Sequence, residues 1–436
     1  MADNQTDEAS SAEKTGGGGK NVLQTLKRDF FVLFTNRNFV LMLIVSLCSS
    51  FSLSMAKTPL TLYGKTIGLN PAEVGMTWGT YYLICLILRP FIGPIIDRCN
   101  KKALVVLCFV MKGVAYLGYG FSNDATIFYA SRWIDAVSFC LATSVFASVA
   151  SLLIKKEMMG TGISVYQALP AFFLMAAPPT SSYIFASCPA PTVYYIAGVI
   201  CGVGILAALL LRFPKEEKSE KPQGAVERTK TSLKDFINNF IYLPTIPACA
   251  MTFFLAVMLT ANDTYLLAMA QERGIENAAF FFTVGDFLKL VAGLVVGVGS
   301  DFISLKKIMI PACIATALAA LLLGAADNLA LILIASFLYY TAQKGTVPVM
   351  IKAATMTAPV ERRGAAISTN FFLQDIAGVT SGYLCAAMFT ALGYAGMYYA
   401  LALFPIAGLA IFLLTYNKVF GKALAAAKQE EAEQQN

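Results

Sequence analysis

Residues 93–102 read Gly-Pro-Ile-Ile-Asp-Arg-Cys-Asn-Lys-Lys, and residues 297–306 read Gly-Val-Gly-Ser-Asp-Phe-Ile-Ser-Leu-Lys. Gly93, Asp97 and Lys102 recur as Gly297, Asp301 and Lys306, each 204 residues further on. In both copies a long apolar run ends near the glycine, a short acidic–basic turn follows, and another apolar run begins. The likeness extends beyond the turn. Gly160 and Ser164 recur as Gly364 and Ser368 at the same offset, and Gly68, Thr77 and Gly79 recur as Gly274, Thr283 and Gly285 at an offset of 206. An internal repeat of this length in an apolar chain means two homologous helix bundles.

The composition sets the solvent. Only 14% of the 436 residues are charged and 57% are hydrophobic, against about 25% charged in soluble proteins. Continuous apolar runs of roughly 20 residues suit a bilayer. Backbone groups in lipid must be satisfied internally, which leaves helices or a closed barrel. The runs do not alternate, so they are helical. We read twelve apolar segments between residues 39 and 415, six in each half. The first spans 39–62, the second 71–92 and the fifth 161–187. Start signals support several: Asn70-Pro71-Ala72-Glu73 supplies an N-cap, a first-turn proline and a capping-box glutamate. Asn123-Asp124 and Asp327-Asn328 precede the fourth and tenth segments.

The remaining sequence organises these segments. Residues 1–30 are polar, Gly-rich in part and without an apolar core, so they read as a disordered tail and not a signal peptide. The expected domains are a bundle at 31–212, a Lys/Glu-rich linker at 213–240, a second bundle at 241–416, and a tail at 417–436. Inner segments hold 24 of the 33 Lys and Arg if both termini are cytoplasmic, whereas the outer loops hold only Lys65 and Arg273. That asymmetry orients the chain in a cell membrane. It also explains the net charge of +7 without nucleic-acid binding. None of the ten cysteines forms a C-x-x-C pair, so neither a disulfide framework nor a zinc site is expected. The chain contains no histidine, so proton chemistry must use carboxylates.

The turn after the second segment, Arg89-Pro90-x-x-Gly93-x-x-x-Asp97-Arg98-x-x-Lys101-Lys102, together with its weaker copy and the twelve segments, resembles the major facilitator superfamily. Within it, the chain resembles the twelve-helix drug:proton antiporter branch over about residues 30–415. The fourth segment has that family's arginine at Arg132, but Asp135-Ala136 stands where Gln-Gly is usual. The fifth has Ala177-Pro178-Pro179-Thr180-Ser181 where antiporters usually show Gly-Pro-x-x-Gly. The resemblance implies a secondary transporter working by alternating access, with segments 1, 4, 7 and 10 lining a central cavity. It also implies that Arg89, Gly93, Asp97, Arg98 and Lys102, echoed by Gly297, Asp301 and Lys306, form a cytoplasmic gate. Phe302 replaces the second arginine, so the first copy is expected to be the stronger latch.

Charges inside apolar spans cost about 2.5–3.5 kcal/mol each on insertion scales and therefore point to function. Six are basic (Lys57, Arg89, Lys112, Arg132, Lys289 and Lys344) and four acidic (Asp135, Asp263, Asp286 and Asp375). Each cavity-lining segment carries a polar group: Lys57; Arg132 with Asp135; Asn262 with Asp263; and Gln343 with Lys344. The 206 offset maps Lys57 onto Asp263, so the two are expected to face each other across the cavity. Arg132 and Asp135, three apart, share a helix face. A pair between Lys344 and Asp375 is expected at mid-membrane, and Asn370, Gln374 and Asp375 give the eleventh segment a polar stripe. Lys112 is expected either to snorkel or to face Asp135. Pro178, Pro179 and Pro348 permit helix bends.

These residues suggest proton-coupled efflux of a small amphipathic organic compound. The alternatives are proton-coupled uptake of an organic anion or zwitterion, or a non-transporting membrane sensor on the same fold. Enzyme activity is not expected. No cofactor is called for, the coupling ion is read as H+, and the partners are a small-molecule substrate and the lipid bilayer, with the chain acting as a monomer.

Overall fold

The computed structural model describes residues 32–154, 159–212, 241–299, 303–359 and 362–434. The 1–30 tail and the whole of the 213–240 linker lie outside these residues. Every long element is a helix, and no strand occurs among the described residues.

The first half comprises α1 (Arg37–Lys57), α2 (Leu60–Thr66), α3 (Pro71–Arg98), α4 (Lys101–Gly120), α5 (Ala125–Leu153), α6 (Met159–Leu174), α7 (Ala177–Ser187) and α8 (Thr192–Leu210). The second comprises α9 (Ile246–Glu272), α10 (Phe280–Gly299), α11 (Leu305–Ala325), α12 (Leu329–Met356), α13 (Arg363–Leu401) and α14 (Leu403–Gln434). Eight of the described segments are long and apolar enough to cross a membrane.

Local chemistry explains the element ends. The Asn70 side chain accepts the Glu73 N–H at 2.9 Å and the Glu73 carboxylate accepts the Asn70 N–H at 2.7 Å, which closes the expected capping box. Asp124 accepts from Thr126 and Ile127, and Asn328 from Leu331. The first expected segment is not continuous. It breaks at Thr58–Pro59, because proline removes an N–H and its ring clashes with the preceding turn. The fifth breaks at Met175–Ala176, and Pro178 and Pro179 then fall in the first turn of α7, where missing N–H groups cost little. At Pro348 no interruption occurs, and α12 is helical throughout. Gly393, at φ 66, kinks α13 near its end.

The two largest apolar cores form separately. The larger draws on residues 42–211 and the other on residues 256–402. Between the halves, α3 packs along α13, α9 meets α2 and α3, and α6 and α7 meet α10. The α3–α13 contact is made by small residues. A Cβ on Gly382 would lie 2.2 Å from the Gly79 backbone nitrogen, and one on Gly378 would lie 2.3 Å from the Tyr82 ring. Apolar side chains gain little from leaving lipid, so close backbone approach supplies the attraction instead.

Candidate substrate and coupling site

The polar residues of the spans fall into pairs, and the pairs joining the two halves have a consistent form. Lys57 is the last residue of α1, where the helix dipole favours a cation. Its Nζ donates to both oxygens of Asp263, at 3.1 and 3.2 Å. Asp263 sits within α9 and is 6% exposed, whereas Lys57 is 25% exposed. Nearer the ends of α2 and α9, Lys65 pairs with Glu272 at 3.0 Å, and Tyr394 also donates to that carboxylate at 3.4 Å. This is the Lys65 end of the bundle.

Deeper in, Arg89 of α3 grips Asp375 of α13 with two N–H groups, Nε to Oδ2 and Nη2 to Oδ1, the latter at 2.8 Å. The glycine-mediated approach of α3 to α13 brings the Arg89 face against Asp375. The expected Lys344–Asp375 pair falls on a lysine side chain that lies outside the described residues. A further link uses no charge: the Thr283 hydroxyl of α10 donates to the Met175 carbonyl at 3.1 Å. Pro179 has no N–H with which to serve that carbonyl, so the opposite half supplies the donor.

Arg132 and Asp135 stay inside the first half. They are 1% and 2% exposed and 3.5 Å apart. The guanidinium lies 3.7 Å from the Trp78 ring centre and 4.3 Å from that of Tyr81. Stacking on two electron-rich faces compensates part of its desolvation. Arg132 Nε and Nη2, Asp135 Oδ1 and the Tyr116 hydroxyl lack protein partners. In the second half, Thr252 donates to Asn370 at 2.6 Å. Asn370, Gln374 and Gln343 border a small cavity of about 30 Å³, and both polar atoms of buried Asn262 are unpartnered. Asp286 and Lys289 pair locally on α10 at 2.5 Å. Lys112 donates to Ser49 and not to Asp135.

The repeated turns place their lysines alike. Lys102 donates to the Leu209 carbonyl at the end of α8, and Lys306 lies 4.1 Å from the Tyr416 ring of α14, so each holds the last helix of its own half. Gly93 and Gly297 sit on α3 and α10. The side chains of Asp97 and Arg98, and residue Asp301 altogether, are not among the described ones.

Sequence reasoning did not find the Lys65–Glu272 bridge, the Arg132–Trp78 stack or the role of Arg273. Arg273 donates to the carbonyls of Leu323, Gly324 and Ala326 at the end of α11. The available signal was that Lys65 and Arg273 are the outer-loop basic residues.

The model of the Major Facilitator Superfamily matches residues 42–285, more than half of the chain. The chain belongs to the Major Facilitator Superfamily. It is therefore a multi-pass membrane protein of a transporter superfamily. A relative, Multidrug resistance protein 2 of Bacillus subtilis (strain 168), is 21% identical over 228 residues. That match covers 52% of this chain and 55% of the relative, so the chain spans about half of that protein's length. The fold also matches solved transporters. The nucleoside transporter NupG aligns with TM-score 0.72 at 11% identity, over 86% of this chain and 98% of that one. A POT family transporter in complex with 5-aminolevulinic acid aligns at 0.72 and 12%, over 87% and 96%. A bacterial homologue of the human lysosomal transporter Spinster, inward-facing and unoccupied, aligns at 0.69 and 14%, over 89% and 98%. At these identities the likeness concerns the fold of the superfamily alone.

Proposed function

We propose that this transporter exports a small amphipathic organic compound in exchange for protons, by alternating access of two six-helix bundles across twelve spans. In this reading both termini are cytoplasmic and the Lys65 end faces outward. The observation that carries it is the pairing of two buried carboxylates of the second half, Asp263 and Asp375, with bases of the first, Lys57 and Arg89.

A proton taken up by either carboxylate removes its negative charge and with it the reason for its base to cross between the halves. The contacts that close the Lys65 end then weaken, and that end opens. Loss of the proton re-forms the pairs. Asp135, held by Arg132, is a third candidate proton site inside the first half. Arg89, expected in the cytoplasmic gate, is assigned instead to the pair with Asp375, while Asp97 and Asp301 are assigned to the latch that closes the cytoplasmic end in the opposite state. The transporter works as a monomer in the bilayer and requires no cofactor. Support for efflux comes from the relative, a multidrug resistance protein by name.

One observation favours a second reading, uptake of an organic anion or zwitterion: basic residues in the spans outnumber acidic ones, six to four. Cells expressing the transporter distinguish the two. Dissipating the proton gradient raises the cellular content of substrate if it is exported and lowers it if it is imported. Transport indifferent to the gradient contradicts both.

A further inference from the structure

Lys112 is outside both cross-bundle pairs, yet its environment is specific. It lies in the middle of α4 and is 2% exposed. Its ammonium donates to the Ser49 hydroxyl at 2.8 Å and to the Ser49 carbonyl at 3.1 Å. Among the described residues, no carboxylate comes within ion-pair distance of it. Asp135, expected from the sequence as one possible partner, pairs instead with Arg132.

The lysine also lines a cavity of about 200 Å³ between α1, α4, α5 and α6. The walls are of two kinds. Ser46, Ser49 and Ser50 line it on the α1 side, with Ser49 bonded to the ammonium, whereas Leu53, Phe139 and Phe146 form an apolar flank, with Tyr166 completing the wall. Thr143 and Ala147 are exposed and mark the mouth.

A buried ammonium hydrogen-bonded only to neutral groups is costly, because hydroxyl and carbonyl dipoles offset little of the lost hydration, and Asp135 acts on it only from beyond ion-pair distance. An anion entering the cavity supplies the missing charge, and the serine hydroxyls can donate to its oxygens. The apolar flank requires the remainder of the ligand to be hydrocarbon. The volume is below the roughly 300–1,000 Å³ of drug-sized sites, so the body is a single ring or a short chain.

We propose that this cavity is a binding site for a small amphipathic carboxylate. Lys112 and the α1 serines hold the carboxylate, and Phe139, Phe146 and Leu53 hold the apolar end. The proposal rests on the transporter reading above and names the substrate class within it.

The test is thermal stabilisation of the purified full-length protein by phenylacetate and by its neutral amide, phenylacetamide. Phenylacetate is expected to raise the melting temperature and the amide to have at least tenfold weaker effect. Lys112→Met, which keeps length and apolar packing, is expected to weaken the phenylacetate response at least tenfold. It should leave the unliganded melting temperature equal or higher. Equal responses of wild type to acid and amide overturn the proposal, and this arm holds even if the variant fails to fold. An unchanged response in folded Lys112→Met also overturns it and leaves the lysine as a structural fastening of α4 to α1. Intact gradient-driven transport with no carboxylate preference sinks this inference alone. A clear preference in a protein whose transport ignores the gradient sinks the proton-coupled reading alone.

Discussion

Lys57 and Asp263 are 206 residues apart, occupy equivalent places in the two halves, and touch at 3.1 Å. Equivalent positions in two related bundles lie at equal depth, so opposite charges there can meet only if that part of the interface is closed. If the pair closes the interface, Lys57→Ala or Asp263→Ala alone reduces gradient-driven transport at least tenfold. Each costs less stability than the roughly 3–5 kcal/mol of breaking a fully buried pair, because Lys57 is partly solvated. The exchange Lys57→Asp with Asp263→Lys should recover stability more fully than transport. Melting curves and proteoliposome flux check this together, and wild-type flux in both single variants contradicts it.

The Arg132–Asp135 pair is buried more deeply, and its loss should appear mainly as instability. Arg132→Met leaves an uncompensated carboxylate and is expected to cost about 3–5 kcal/mol. Adding Asp135→Asn should return part of that. Urea or thermal unfolding in detergent measures both. Arg132→Lys should not fully rescue, since an ammonium lacks the flat guanidinium that lies over Trp78 and Tyr81.

The Thr283–Met175 hydrogen bond predicts a conditional effect. Thr283→Val removes the donor and should cost about 1 kcal/mol. Pro179→Ala restores an N–H within the first half that can serve the Met175 carbonyl. In that background the Thr283→Val penalty should fall toward zero. A double-mutant cycle reads the coupling directly, and additive penalties contradict the assignment.

The Gly79–Gly382 contact predicts a steric effect with a direction. Any side chain on Gly382 meets the α3 backbone, which cannot withdraw as a flexible side chain can. Gly382→Val should cost at least the roughly 1–3 kcal/mol of overpacking. It should also separate α3 from α13 and shift the population away from closure at the Lys65 end. Spin-label distances between those helices report the shift.

Much of this was legible in the sequence, for physical reasons. The repeat and the apolar runs give the two halves, and Asn70, Asp124 and Asn328 mark helix starts through their side-chain oxygens. The 206-residue offset put Lys57 opposite Asp263 without any structure. Arg89–Asp375 was not legible, because a single sequence does not say which faces of α3 and α13 meet. In retrospect Gly79, Gly378 and Gly382 carried that information as the positions where two backbones can approach. The break after Lys57 was available too, since Pro59 stood inside the first apolar segment. The stack of Arg132 on Trp78 and Tyr81 required knowing that α3 borders α5, though the two aromatics are three apart and so share a face.

The central claim is that protonation of Asp263 and Asp375 opens the Lys65 end. The direct measurement is the distance between spin labels at Thr66→Cys and Glu276→Cys, in a background with the exposed Cys99 and Cys188 changed to serine, at alkaline and at acidic pH. The account predicts a short distance at alkaline pH and a longer one at acidic pH. In the Asp263→Asn, Asp375→Asn variant it predicts the longer distance at both. Identical distance distributions at the two pH values in the wild-type background would contradict it.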